Sequence, residues 1–394
     1  MKIAVVHNLQ LGGAWRRLAN QVSRLGCSVD EVCLETAAPV TSAPTIVPLR
    51  RVSPRAPRAL RPPTRYLDTI RLQAAWRRAT ELIQASGADV VFLNPCRFLQ
   101  APPIALAHTP PVVYFCDEPR RVDTEPDAAA SRNPLTMPLY RPIYVRERRL
   151  DRLATSRAQL VATNSHYTAA EIERVYGRHA HVVRLGAPQP PPESLITRSS
   201  QAAGCEYLLS VGALLPAKGH ELVLRAAAAS ALRPAVRIVA PREDTRWKLR
   251  LRGLARELGI ALEIRVGIPD QQLSELYAGA LATVYLARRE PFGLVSLEAQ
   301  AHGCPVIVAD EGGLPETILD GETGWSCHRE PIAAATRIDR LGDPRLRLTM
   351  SKAAREHAAT WTWEGSAAQI RNLLAAAASS AVSSQAGDMA RARA

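Results

Sequence analysis

Residues Glu290 to Gly324 read EPFGLVSLEAQAHGCPVIVADEGGLPETILDGETG. Glu290 and Glu298 stand eight apart among apolar residues, and Gly312 and Gly313 follow in a loop. Ionised carboxylates accept paired hydrogen bonds from vicinal hydroxyls, such as those of a sugar or a ribose. Pro291 suits the first turn of a helix, where its missing N–H is not needed. The amides of Phe292, Gly293 and Leu294 would then point out of a helix N-terminus toward phosphate or sugar oxygens. Eight residues of helix return to nearly the same face, so both carboxylates can address one ligand. Read alone, Glu290 is also a helix-start charge favoured by the dipole and Glu298 a surface residue.

Three further loops share this character. SVGALLPAKGHELVL sets Lys218 and Gly219 just before a helix. A lysine there can stabilise a diphosphate as it leaves; the plainer reading is a solvated loop residue, although nearly all other basic residues are arginine. In ADEGGLPETI, Gly312 and Gly313 allow close backbone approach and Glu316 opens a helix. NLQLGGAW, near the N-terminus, carries Gly12 and Gly13.

These loops need a frame of strands and helices. KIAVVHN, ADVVFLN, PVVYFC and AQLVATNS are short apolar, β-branched runs, as expected of buried parallel strands, with helical segments between them. GAPQPPPESLITRSSQAAG (Gly186–Gly204) is the best candidate linker. A second block then alternates EYLLSVGAL, AVRIVAP, ALEIRVG, ATVYLA and CPVIVAD with helices. Two successive βαβ blocks predict two doubly wound domains with a cleft between them, ligands lying at the carboxyl ends of the strands. The expected boundaries are 1–186, an N-terminal Rossmann-like domain; 187–204, a linker; 205–360, a second such domain; 361–374, a helix packing back toward the first; and 375–394, a low-complexity disordered tail.

The chain has 394 residues, enough for two domains. Its seven cysteines are scattered without a C-x-x-C pair, which argues against a zinc site or a disulfide framework and suits a reducing cytoplasm. The N-terminus reads as a strand rather than a signal peptide, and no apolar run approaches the ~18 residues of a membrane span. The net charge of +13 is uneven. Residues 1–190 carry 26 Lys and Arg against 15 acids, a net of +11, and the remainder carries 24 against 22, a net of +2. Pro48–Arg78 holds nine arginines and one acid, with Leu, Tyr, Ile and Trp interleaved. It reads either as a solvated arginine-rich loop or as a surface whose second half is a basic amphipathic helix, Arg50–Arg78 docking on an anionic membrane. No nucleic-acid recognition motif accompanies it.

EPFGLVSLEAQAHGCPVIVADEGGLPETILDGETGW closely resembles the signature of the GT4-type retaining glycosyltransferases, the group 1 type. VGALLPAKG resembles that family's phosphate loop and LQLGGAWRRLANQVSRLG its N-terminal glycine loop and first helix; VVYFCDEPRR and LVATNSHYTAAEIERVYG also fit. The resemblance spans roughly Met1 to Leu374. It implies an α/β GT-B fold, with two Rossmann-like doubly wound domains facing across a cleft. The acceptor would bind mainly to the first domain and a nucleotide diphosphate sugar to the second, with retention and no metal or other cofactor. Glu290 would bind donor-sugar hydroxyls near the reacting centre, and the amides of Phe292, Gly293 and Leu294 sugar and phosphate. Glu298 would bind the ribose, Lys218 would neutralise the diphosphate, and Gly13 would let the first domain's backbone close over it. Gly12, Gly312 and Gly313 join the donor-binding set. The implied activity is transfer of a hexose to a hydroxyl acceptor in cell-envelope or polysaccharide synthesis. The scattered cysteines and the basic N-terminal half, rather than the resemblance, suggest a cytoplasmic protein, peripheral on the inner face of the cell membrane.

The sequence departs from that pattern in places. Ala213 stands where the family usually has a phosphate-binding arginine; Arg242, Arg288 or Arg289 can substitute from nearby loops. Asp117 stands where the family often has histidine near the donor sugar, which makes it a candidate catalytic position. LARR (Leu286–Arg289) replaces a small-residue stretch, and PREDTRW replaces a glycine-rich turn. These changes motivate an alternative, a catalytically altered nucleotide-sugar-binding relative acting as a membrane-associated partner subunit. A dinucleotide oxidoreductase ranks below both, because NLQLGGAW lacks G-x-G-x-x-G.

Overall fold

A computed structural model describes residues 1–51, 54, 61–106, 109–121, 137–188 and 207–392. The expected linker at 187–204 lies almost wholly outside them. The chain divides into two compact units, Met1–Leu185 with Trp363–Ala394, and Gly186–Thr362.

The first unit runs β1 (Lys2–Asn8), α1 (Gly13–Val22), β2 (Ser28–Leu34), β3 (Thr45–Val47), α2 (Arg61–Ser86), β4 (Val90–Cys96), β5 (Val112–Phe115), α3 (Met137–Arg157), β6 (Leu160–Thr163), α4 (His166–Tyr176) and β7 (His181–Val182). Its sheet is parallel, in the order β3-β2-β1-β4-β5-β6-β7. Strand order reverses between β1 and β4, the switch point at which doubly wound sheets bind ligands. β1, β4 and β5 are buried over almost their whole length, which is why they read as continuous apolar runs rather than alternating ones.

The second unit runs β8 (Tyr207–Val211), α5 (His220–Ala229), β9 (Ala235–Ala240), α6 (Thr245–Leu258), β10 (Leu262–Val266), α7 (Asp270–Ala278), β11 (Ala282–Tyr285), α8 (Leu294–Ala301), β12 (Val306–Ala309), β13 (Gly324–Cys327), α9 (Pro331–Arg340) and α10 (Pro344–Ala359). Its parallel order is β10-β9-β8-β11-β12-β13, with the switch point between β8 and β11. The loops holding Lys218 and Glu290 follow those two neighbouring strands.

The last helix, α11 (Trp363–Ala392), belongs to the first unit. Gln21 donates to Ser366 Oγ at 3.0 Å, and Ala367, Ile370, Leu374 and Ala377 are buried. The helix continues through the stretch from Ala375 that composition marks as disordered. Its alanines have the best intrinsic helix propensity, so a low-complexity run is also a good helix.

The arginine-rich segment is corrected in one respect. Leu72, Trp76, Ala79 and Ile83 of α2 form a stripe at helical spacing, and all four are buried in the core of the first unit. Burying Trp76 and Leu72 contributes about 1.5–3 kcal/mol each, so this stripe is spent on the fold. Tyr66, Leu67 and Ile70 remain exposed. No described helix is long and apolar enough to cross a membrane.

Candidate active site

In the second unit, Gly219 ends the loop after β8 in the left-handed region, at φ 75°. A Cβ there would stand 2.1 Å from the Leu286 carbonyl oxygen, so only glycine lets this loop lie against the loop after β11. The Arg288 amide donates to the Ala217 carbonyl at 2.7 Å and ties the same two loops. Their close approach delivers Lys218 Nζ to within 2.8 Å of Glu290 Oε2 and 3.0 Å of the Tyr285 hydroxyl.

The Lys218 and Glu290 side chains are 21% and 16% exposed. Burial opposes the Lys218 charge, but the Tyr285 oxygen and the Glu290 carboxylate outweigh it, so the ammonium is held above its usual pKa. Burial and the same carboxylate push the Tyr285 hydroxyl up, against the effect of Lys218. The result is a charged lysine with a carboxylate partner and a neutral tyrosine.

His220 fixes the phosphate-type loop from inside. It is fully buried; its Nε2 donates to the Ala213 carbonyl at 3.1 Å, so Nδ1 accepts from Ser210 Oγ at 2.9 Å. Burial lowers its pKa to about 4, against the raising effect of the backbone bonds. The ring is therefore neutral at pH 7, as this hydrogen-bond pattern needs.

Glu290, Pro291 and Phe292 all precede α8, which begins at Leu294 with Gly293 at φ 107° as its N-cap. Pro291 is thus not in the first helical turn, and helical repetition does not relate Glu290 to Glu298. The cause is local packing. A Cβ on Gly312 would stand 2.4 Å from the Glu290 carbonyl oxygen, and one on Gly313 would stand 2.3 Å from that of Pro291. The Gly313 amide donates to the Glu290 carbonyl at 2.8 Å. Gly312 and Gly313 therefore receive the backbone of the Glu290 loop, and the Gly313 amide is already occupied. The amides of Phe292, Gly293 and Leu294 make no hydrogen bond among the described residues. Glu298 lies inside α8 and is buried, accepting from the Tyr277 hydroxyl at 3.0 Å. The Tyr277 ring stacks on His302, which donates through Nδ1 to the Glu298 carbonyl at 2.7 Å.

The cations proposed to replace the residue at 213 divide. Arg242 is exposed in the loop after β9. Arg289 has its backbone at φ 46°, an uncommon region for a non-glycine residue. Arg329, which was not among those candidates, donates from Nε to the Leu286 carbonyl at 2.9 Å and approaches Glu311 at 3.6 Å.

In the first unit, Gly12 and Gly13 are exposed at the start of α1. A Cβ on Gly12 would meet nothing closer than 3.8 Å, so internal packing does not demand glycine there. Asp117, after β5, is bound on both oxygens by Arg17 of α1, each contact 2.8 Å. Arg17 is fully buried; it also donates to Asn94 and Gln21, and it lies 3.7 Å from the Phe115 ring centroid. Asn164 holds the Asp117 carbonyl at 3.0 Å.

His7, Glu31 and Cys33 also converge, with ligand-type atoms within 4.8 Å of one another. This is a closed hydrogen-bond network. His7 Nε2 bonds Glu31 at 2.8 Å, and Nδ1 accepts from the Leu9 amide. Glu31 further accepts from the Val40 amide and from the amide and hydroxyl of Thr41. Burial raises the Cys33 thiol pKa to about 12, and Glu31 adds to it.

Residues 196–357 match the family described as Glycosyl transferases group 1. This segment is a group 1 glycosyltransferase domain. The chain is 33% identical over 230 residues to a D-inositol 3-phosphate glycosyltransferase of Acidothermus cellulolyticus, covering 52% of this chain and 51% of the relative. The chain thus spans about half the length of the curated relatives it matches. The sucrose-phosphate synthase of Thermosynechococcus elongatus superposes with a TM-score of 0.73 at 21% identity, over 95% of this chain and 98% of that one. Anabaena HepE in complex with UDP gives 0.71 at 18%, over 95% and 100%. These likenesses show the fold, GT-B, with its two Rossmann-like α/β units.

Within the glycosyltransferase domain, the structure brings Lys218 and Glu290 together, sets three unbonded amides after Glu290, and places Glu298 further along against Tyr277. Sequence reading missed Tyr285, Tyr277, Arg17 and Arg329. Tyr285 closes an apolar strand, and Arg17 sits on a helix among many arginines. Neither position carries a local signal, since only the fold supplies their partners.

Proposed function

We propose that this chain is a retaining glycosyltransferase that moves a hexose from a nucleotide diphosphate sugar to a hydroxyl acceptor. The observation that carries the reading is the meeting of the Lys218 and Glu290 loops at the switch point between β8 and β11, Nζ to Oε2 2.8 Å. Without donor, the two charges satisfy each other. With donor, Lys218 turns to the diphosphate, where charge grows as the sugar–phosphate bond loosens, and Glu290 accepts from sugar hydroxyls. The amides of Phe292, Gly293 and Leu294 hold oxygens at the α8 N-terminus. Glu298, oriented by Tyr277, takes the ribose. In the first unit, Gly12 and Gly13 leave an unobstructed, exposed backbone at the start of α1. This chemistry needs no metal. The acceptor is a glycan or lipid-linked glycan of the cell envelope, reached from the cytoplasm. Exposed Tyr66, Leu67 and Ile70 among the arginines of α2 would touch an anionic membrane.

The test is release of nucleoside diphosphate from UDP-, GDP- and ADP-sugars, UDP first because HepE carries UDP in a protein of the same fold. Wild type is run beside Glu290→Ala and Lys218→Ala, and product anomers are read by NMR. Turnover of one donor, lost in both variants, with the anomeric configuration kept, is the expected result. Inversion would remove the retaining assignment.

A second reading has its own support. Ala213 supplies no cation, and Asp117 is fully engaged by Arg17. A catalytically altered partner subunit would bind nucleotide-sugar without turnover, even with membrane extract as acceptor.

A further inference from the structure

The first unit holds a cavity of about 520 Å³ that none of the donor chemistry uses. It opens at the carboxyl ends of the sheet, the end that also carries Gly12, Gly13 and Asp117. Leu49 follows β3, Arg97 and Phe98 follow β4, Arg61 to Leu72 lie on the first turns of α2, and Tyr140 and Glu147 lie on α3. Its size suits a ligand of one or two sugar rings.

Its charge is unusual. Four arginines (Arg51, Arg61, Arg65 and Arg97) line it against two acids, Asp68 and Glu147, leaving a net of +2. Both acids are buried, at 5% and 6% exposure, and they act as anchors. Asp68 holds Arg51 at 3.5 Å, and Glu147 holds Arg65 at 3.7 Å and Arg120 at 3.0 Å. Aromatic rings lie close to three of the guanidinium groups. Arg51 lies 4.3 Å and Arg97 5.1 Å from the Phe98 centroid, and Arg65 lies 5.7 Å from that of Tyr140. Arg61 makes no ion pair among the described residues and is exposed at the rim. Guanidinium groups gathered around a concave space match the paired oxygens of phosphate. A cavity built only for neutral hydroxyls has no use for a surplus of two positive charges.

We propose that this cavity is an anion subsite that binds a phosphate group, and, on the reading of the chain as a glycosyltransferase, that this phosphate belongs to the acceptor. Arg61 and Arg97 grip the phosphate. Arg51 and Arg65, held by their acids, set the distance, and Phe98 and Tyr140 offer faces for a sugar ring.

The experiment is calorimetric titration of the full chain with inorganic phosphate, glucose 6-phosphate and glucose, and flotation with phosphatidylglycerol or phosphatidylcholine vesicles. Wild type is compared with Arg61→Gln, Arg97→Gln and the double variant, which leave Asp68 its contact with Arg51 and Glu147 its contacts with Arg65 and Arg120. Binding of glucose 6-phosphate but not glucose, weakened at least about tenfold in the double variant, is the expected result and indicates a soluble phosphate. Flotation with the anionic vesicles alone, lost in the double variant, assigns the phosphate to a lipid headgroup. No binding of any phosphate, or equal binding by wild type and double variant, overturns the subsite. Each preparation is also titrated with UDP and GDP. Nucleotide binding without phosphate binding removes only this inference, whereas the reverse removes the donor assignment and leaves the cavity standing.

Discussion

Lys218 and Glu290 give a prediction with opposite signs. Lys218→Met removes the ammonium and keeps the length of the side chain. A hydrogen bond to a charged group contributes about 1.5–3 kcal/mol, which is roughly 10- to 150-fold in affinity. UDP, or whichever diphosphate the donor panel selects, should bind that much more weakly. Glu290→Gln keeps the shape but removes the charge that holds Lys218 at 2.8 Å. The lysine is then released to the ligand, so diphosphate binding should be unchanged or up to about tenfold tighter. Transfer should nevertheless fall by about 100-fold or more, because the sugar has lost its positioning carboxylate. The pair is half-buried, so each variant should lose only about 1–2 kcal/mol of stability, less than a fully buried pair would. Calorimetry gives the affinities, single-turnover kinetics gives the transfer rate, and denaturant unfolding gives the stability. Equal weakening of diphosphate binding by both variants, or no weakening by Lys218→Met, would refute the exchange of partners.

Three other outcomes follow from the geometry. Gly219→Ala places a Cβ 2.1 Å from the Leu286 oxygen at φ 75° and should cost more than about 2 kcal/mol and the diphosphate affinity, whereas Gly259→Ala, at φ 64° with its nearest atom 3.5 Å away on the Arg233 side chain, should cost about 1 kcal/mol and leave affinity intact; equal melting temperatures would contradict the loop contact. Arg17→Met leaves the half-buried Asp117 without its partner and should cost about 1–3 kcal/mol in denaturant unfolding, the penalty for an unsatisfied polar group. Burial depresses the His220 pKa to about 4 when folded, against about 6.5 for an ordinary imidazole. The unfolded chain therefore binds its proton first as pH falls, so this contribution is full above about 6.5 and lost progressively toward 4. A melting-temperature profile should decline across that window for wild type and less steeply for His220→Gln.

The two-domain plan was legible because buried parallel strands are apolar runs, and runs alternating with helices leave few topologies. The glycine and lysine loops were legible because a turn that only glycine can make leaves its mark in one residue. Relations across the sheet were not. Glu290 and Glu298 suggested one helical face, but Gly312 and Gly313 pull the Glu290 loop out of the helix. The stretch from Ala375 suggested disorder, yet α11 runs on through it and Ala377 is buried. Asp117 read as a lone departure, and the structure gives it Arg17, a hundred residues earlier.

By itself, then, the sequence determined the alternation of elements, the loops that carry charge and the glycines that let backbones meet, since these are properties of a residue and its immediate neighbours. The tertiary structure decided which charges are paired. It gave Lys218 to Glu290 and Tyr285, Asp117 to Arg17, and the arginines around α2 to a common cavity. Pairing depends on strand order, because a parallel sheet places side by side loops that are far apart along the chain.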